Sequence, residues 1–301
     1  MNSDGVLIKE LDVDKRIIIA GSVVGILVIF ALIGFSQDKD GLEKLVQEEP
    51  VVIMANARTT DKQERDSAEL AQQLFEKAQS LREERNLEKA RDTYASLIQE
   101  YPDFEQVEKA QSDLEDLNMA IVFSNAPTKY ALTHEVAPGD TLGELAKEYG
   151  TTIEHIKISN HLKDHIIRVG QKLRVWNTPF NIHVDKSQNV LLLRSGDEVL
   201  KVYNVSTGSN NSTPVGGFKV TTKLVDPVWF NRGVVVPPES PKNELGSRWL
   251  GFDIPGYGIH GTIRPESIGE QVTAGCVRMR NSEVEELYSI IRPGTKVTIV
   301  D

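Results

Sequence analysis

Apolar positions follow four different patterns along the chain. Ile17 to Phe35 is nineteen residues without a charge, enough to cross a bilayer core as a helix, which takes about 20 predominantly apolar residues. From about Asp66 to Phe123 the apolar positions recur at intervals of three and four. They are Leu70, Leu74, Ala78 and Leu81, then Ala90, Tyr94, Leu97 and Ile98, the period of amphipathic helices. Arg85-Asn86-Leu87 separates the first two helices. Tyr101-Pro102-Asp103 ends the second, because Pro102 lacks an N–H and disfavours helix at the residue before it. A third helix is expected from roughly Glu105 to Phe123. Residues 131–176 then read strand–helix–helix–strand: Pro138-Gly139-Asp140 makes a turn, Asp140 or Thr141 can cap the helix carrying Leu142, Leu145 and Ala146, Thr151-Thr152-Ile153 starts a second, and Ile167 to Val175 turns into a closing strand. Beyond Phe180 the pattern is that of strands. Asn189 to Leu193, Val199 to Val205, Gly217 to Thr222 and Thr295 to Val300 are β-branched or apolar runs bounded by Gly, Asn and Asp, and Ser282 to Ile291 reads as one amphipathic helix. The Pro- and Gly-rich stretch from Leu224 to Tyr257 has the length of a lid or binding loop.

Charge orients the first of these segments. Lys15 and Arg16 precede the apolar run, and Asp38, Asp40 and Glu43 follow it, so the positive-inside rule keeps the N-terminus cytoplasmic and exports the rest. A cleaved signal peptide is the rival, but its apolar core is about 7–15 residues with a small-residue site close behind. Here Ala55-Asn56-Ala57 comes some twenty residues too late. The formal charge of −10 is concentrated in residues 37–130, which hold 12 basic and 21 acidic side chains. That keeps this segment solvated and off an anionic bilayer, and no basic patch points to nucleic acid.

Two resemblances organise the middle of the chain. Ala71…Phe75…Ala78…Asn86-Leu87-Glu88-Lys89-Ala90…Tyr94…Tyr101-Pro102 resembles one tetratricopeptide unit. Repeats of that kind normally need about three copies to bury a continuous core. An acidic spacer is therefore favoured over a groove for a protein partner. Pro138-Gly139-Asp140-Thr141-Leu142, Ala146…Tyr149-Gly150-Thr151-Thr152, Ile158-Ser159-Asn160 and Val169-Gly170-Gln171-Lys172-Leu173 resemble a LysM domain, although Val175-Trp176 stands where that family commonly has Ile-Pro. The resemblance implies binding of N-acetylglucosamine-containing glycan, with Gly139, Asp140, Thr141, Ile158 and Asn160 as candidate contacts. His155, His161 and His165 lack a converging ligand set and read as solvated surface histidines rather than a metal site.

The chemistry gathers around the single cysteine. Gly258-Ile259-His260-Gly261-Thr262 is followed by Thr273-Ala274-Gly275-Cys276-Val277-Arg278-Met279. A lone thiol in an exported chain makes no intrachain disulfide and is either a pairing or a reactive group. A thiolate needs a base or cation nearby to form at neutral pH, and glycines let backbone N–H groups approach a developing oxyanion.

The whole segment resembles the signature of the L,D-transpeptidases (YkuD-like). Thr213-Pro214-Val215-Gly216-Gly217-Phe218, Leu245-Gly246-Ser247-Arg248-Trp249-Leu250 and Ser267-Ile268-Gly269 follow in the family's order. Thr273 replaces the usual Ser, and Ala274 stands where His is frequent. The resemblance implies that Cys276 is the nucleophile and that His260 is its base, oriented by a backbone carbonyl such as that of Gly261; a reactive thiol is in turn expected to have a depressed pKa. Gly275 and Cys276 would supply oxyanion N–H groups. Arg278 would brace the loop or grip a substrate carboxylate, with Thr273, Thr262 and Trp249 as further substrate contacts. No cofactor and no metal are implied.

The expectation is a multidomain chain: cytoplasmic tail 1–16, transmembrane anchor 17–35, acidic linker 36–65, α-helical spacer 66–124, small α+β LysM (βααβ) 131–176 and β-rich catalytic domain 179–301. Its expected activity is 3–3 cross-linking of peptidoglycan stem peptides on the extracytoplasmic side of the membrane. The rivals are the same acyl-enzyme with water or a protein lysine as acceptor, a non-catalytic wall-binding scaffold, and an exported cysteine protease.

Overall fold

The computed structural model describes residues 50–231 and 233–301. The expected tail, the anchor at 17–35 and the first part of the linker lie outside them. Among the described residues no helix is long and apolar enough to cross a membrane.

Three helices come first: α1 (Pro50–Glu83), α2 (Leu87–Glu100) and α3 (Val107–Phe123). The second part of the expected linker is therefore helix. No Gly or Pro interrupts residues 51–64, and a helix once nucleated adds about one hydrogen bond per residue fixed. Ala71, Phe75 and Ala78 of α1 bury against Ala90, Tyr94 and Leu97 of α2 and Ala110 and Leu117 of α3. The next apolar stripe of α3, Met119 and Val122, belongs to the core of the C-terminal domain instead. Asn118 Nδ2 donates to Leu200 O at 2.9 Å. The helical segment is thus built into the rest of the protein rather than standing apart as a spacer.

The LysM unit is β1 (Ala131–Glu135), α4 (Leu142–Tyr149), α5 (Ile153–Ser159) and β2 (Lys172–Trp176), with β1 and β2 antiparallel. Thr141 caps α4 and Thr152 caps α5, each hydroxyl accepting a backbone N–H. The unit docks on α3. Arg174 of β2 donates to Ile121 O at 2.9 Å, Val122 O at 3.2 Å and Ser124 O at 2.7 Å, so a cation closes the C-terminal carbonyls of that helix. Trp176 stacks between Tyr130 and Phe180, at 5.4 and 5.3 Å between centroids. The departure from Ile-Pro at the end of this domain therefore serves the junction with its neighbours.

His155 corrects an expectation. It is 1% exposed, not solvated. Nε2 donates to Val122 O at 2.9 Å and Nδ1 accepts from the Thr151 hydroxyl at 3.1 Å, among the rings of Phe123, Trp176 and Phe180. The sequence shows only the small domain's own periodicity, and this residue is covered by the docking. Burial pulls its pKa down to about 4 from 6.5. The unfolded chain takes up that proton near 6.5 and the folded chain only near 4. Stability is therefore complete above pH 6.5 and falls as pH drops through that window. His155→Gln, which retains a donor but cannot titrate, should melt lower at pH 7.5 and lose less on going to pH 5. A melting-temperature drop as large as that of the parent protein would refute this assignment.

The C-terminal domain carries β3 (Phe180–Asp185), β4 (Val190–Ser195), β5 (Glu198–Asn204), β6 (Thr207–Gly208), β7 (Gly216–Val225), β8 (Trp229–Asn231), β9 (Val234–Val236), β10 (Arg248–Phe252), β11 (Gly258–His260), β12 (Gln271–Thr273), β13 (Val277–Arg278), α6 (Asn281–Ile290) and β14 (Lys296–Val300). Eight strands form one mixed sheet in the order β13-β11-β10-β7-β14-β3-β4-β5. The stretch 224–257 is not one loop: it holds the β8–β9 hairpin and the interior strand β10. Gly251 within Arg248-Trp249-Leu250-Gly251-Phe252 breaks the alternation by which a strand is read.

Candidate active site

The short parallel pair β11–β13 sets out the chemistry. Its register places Ile259 beside Val277 and His260 beside Arg278. Ile259 and Val277 are fully buried in the core. Side chains alternate faces along a strand, so His260 and Arg278 share the opposite face, and Cys276 immediately precedes β13. Trp249 pairs with His260 from β10, its ring stacked at 6.0 Å and 19°.

His260 is fixed as one tautomer. Nδ1 lies 2.6 Å from Gly261 O; a carbonyl only accepts, so Nδ1 carries the proton and the Nε2 lone pair is the free base. Burial holds the imidazole down at about 4, neutral at physiological pH. Cys276 is half-buried, and Sγ donates to Gly256 O at 3.4 Å. Burial pushes the thiol up to about 11, against a backbone bond from Gly258 and the Arg278 charge. The expected depressed pKa is therefore not met: the signature supplies a cation, but partial burial of the thiol outweighs it. The unliganded pair rests as thiol and neutral imidazole.

The cysteine loop is tied from inside. Thr273 Oγ1 donates to Cys276 O at 2.6 Å and accepts from Gly275 N at 3.2 Å. This buried hydroxyl shapes the turn and is not the substrate contact expected. Gly275 has φ +129°, a backbone conformation open to glycine. Thr262 is also turned inward, its hydroxyl accepting from Arg264 N at 2.9 Å. Arg278, 4% exposed, donates to Ser267 Oγ at 3.0 Å and Glu244 Oε2 at 3.2 Å. Both terminal nitrogens are engaged, so of its two expected roles the structure has it brace the loop rather than grip a carboxylate. Glu244, which also pairs with Arg264, carried no signal in the sequence.

The five glycan candidates are held in different ways. Asp140 accepts from Ala137 N at 2.7 Å and lies 2.9 Å from His134 Nε2, and these bonds hold its carboxyl below the usual range. Thr141 is engaged with Glu144 as a helix cap. Asn160 staples α5 to β2, donating to Arg174 O and accepting from Arg174 N, both at 2.7 Å. Gly139 faces open space. Ile158, 43% exposed, lines a pocket of about 450 Å³ along α5 with Lys157 and His161. His161 and His165 are exposed. Among the described residues no group of three or more His, Cys, Asp or Glu could hold a metal ion.

Comparison with known proteins finds two families on the chain. The family model of the L,D-transpeptidase catalytic domain matches residues 179–299, and that of the LysM domain residues 134–176. YqjB of Bacillus subtilis, assigned by name to the L,D-transpeptidases, is 44% identical over 124 residues, covering 39% of this chain and 69% of its own length. YkuD of the same organism, named likewise, is 31% identical over 175 residues, 56% of this chain and 98% of its own. Among solved structures, an L,D-transpeptidase from Mycobacterium smegmatis aligns at 19% identity with a TM-score of 0.36, over 44% of this chain and 65% of that one.

Proposed function

Because the chain belongs to the L,D-transpeptidase family, we propose that Cys276 takes an acyl group from a peptidoglycan stem peptide and passes it to an amine of a neighbouring stem. Sγ attacks the carbonyl of the third residue, a diaminopimelate, as its proton passes to His260 Nε2. The Gly275 and Cys276 N–H groups receive the oxyanion, and the imidazolium returns the proton to the departing D-alanine amine. The incoming amine repeats the steps in reverse on the thioester, giving a 3–3 cross-link. The observation that carries this reading is the His260 tautomer, with Nδ1 held by Gly261 O and Nε2 left to accept a proton.

A LysM domain docked through Arg174, His155 and Trp176 supports a fixed placement of the glycan relative to the thiol, which raises the local stem concentration. The uncharged run 17–35 supports a single-pass anchor, N-terminus inside, with the catalytic domain extracytoplasmic. Mass spectrometry of a fragment from about Thr60 onward with disaccharide-tetrapeptide tests the chemistry. We expect an adduct lacking D-alanine and then a 3–3 dimer, both missing with Cys276→Ala. Tripeptide alone would make water the acceptor, and no adduct with glycan binding intact would leave a scaffold.

A further inference from the structure

The bond that fixes the base is itself held from behind. Gly261 O, which accepts the His260 Nδ1 proton, and Thr262 N belong to one peptide group. That N–H donates to Asn281 Oδ1 at 2.9 Å, and the same oxygen accepts from Ser247 N at 3.2 Å. Two N–H donors converge on this atom, so it is the amide oxygen and not the nitrogen. The other side of Gly261 is fixed as well, its N–H donating to Arg248 O at 3.2 Å. Asn281 also explains two glycines. A Cβ at Gly261 would lie 2.1 Å from Asn281 Oδ1, and one at Gly246 would lie 2.2 Å from it. The oxygen sits in the space that side chains there would fill.

We propose that Asn281 is the positioning residue of the catalytic base: by gripping the Gly261–Thr262 peptide it aims the carbonyl that selects the His260 tautomer. The inference rests on the reading of His260 as that base. Asn281 opens α6, yet the helix start has its own cap, with Glu283 Oε2 accepting from Arg280 N at 3.2 Å. The Asn281 oxygen serves other segments instead. Hydrogen bonds in series polarise one another, so an acceptor on Thr262 N–H also makes Gly261 O a better acceptor for the imidazole proton. Its side chain joins the two segments beside the base: Ser247 leads into β10 and Thr262 follows β11.

The test compares Asn281→Ala and Asn281→Asp with the parent protein in two measurements. The first is the ¹⁵N NMR signature of the His260 ring between pH 5 and 8, which needs no substrate. The second is the acyl-enzyme formation rate with disaccharide-tetrapeptide. Asn281→Ala should lose the single Nδ1–H tautomer and acylate about 10²-fold more slowly at unchanged KM, the cost of roughly 1 Å of misplacement. Asn281→Asp keeps an acceptor, so it should keep the tautomer and most of the rate. Its negative charge should move the acid limb of the pH profile upward. A folded Asn281→Ala with the parent tautomer and rate would overturn the proposal. So would an Asn281→Asp that folds but loses both. If the parent protein forms no adduct while the ring signatures still diverge, the proposed reaction fails and the positioning role stands.

Discussion

Replacing His260 with Gln is expected to slow acyl-enzyme formation about 10³-fold at pH 7, within the range of general-base contributions, and to leave a rate that climbs about tenfold per pH unit. Both follow from the electrostatics of the closed site. The thiol sits at about 11 and the imidazole at about 4, so burial favours the neutral form of each. An ion pair formed in advance would separate charge where water cannot screen it. The proton must instead leave sulfur as the carbon–sulfur bond forms, when the negative charge moves to an oxygen facing backbone N–H groups. Gln at 260 can still reach Gly261 O but offers no base. Only the small thiolate fraction then reacts, and that fraction rises with pH until the thiol titrates. The parent protein should instead show a plateau from about pH 5 upward, since its base is already neutral there. Single-turnover mass spectrometry from pH 6 to 9.5 separates the cases. A flat profile for the variant would mean that the thiolate forms without His260.

The stretch that holds Cys276, His260 and the glycines beside them was legible as the family's own, because it lies in two short runs whose spacing is itself the motif, and the family model matches residues 179–299. The βααβ order of the LysM unit was legible for a similar reason: its caps and turn are local. Contacts made across the fold were not legible. Asn281 reaches Ser247 across 34 positions, and Glu244 reaches Arg278 across the same interval; neither pairing has a period. The family resemblance places Thr273 and Thr262 at the substrate, and the structure turns both hydroxyls inward. Their inward turn depends on which backbone groups the loops leave unpaired. The Cys276 thiol was misjudged because a sequence shows which charges are present but not how much water is excluded. His155 was misjudged because nothing in one domain announces the neighbour that covers it.

That docking changes what the N-terminal half contributes. Arg174 closes the end of α3, Asn118 ties α3 to β5, and the Thr152 hydroxyl donates to Ser289 O on α6. The last contact leads toward the site, because α6 opens with Asn281. A flexible tether would raise local concentration only through its reach. A docked domain also fixes direction, so under the proposed function the glycan strand and the stem peptide would meet Cys276 in one orientation.

The nucleophile loop should tolerate no side chain at position 275. A Cβ on Gly275 would lie 2.6 Å from Tyr257 Cε1 and 3.1 Å from Ser212 O, at φ +129°. The ring is held in the domain core and the carbonyl is backbone, so the loop itself must move. It would carry with it the N–H groups of Gly275 and Cys276 and the Thr273 bond that shapes the turn. Losing one well-aimed oxyanion donor costs about 10²–10³ in kcat, and Gly275→Ala should cost at least that. Strain alone is separated by Gly294→Ala, which has φ +92° and nothing within 4 Å of the added carbon. Both variants should melt lower, by the roughly 1–3 kcal/mol of an unfavourable φ, while only Gly275→Ala should lose acylation. Equal losses in the two would mean that global stability, not the position of these N–H groups, limits the rate.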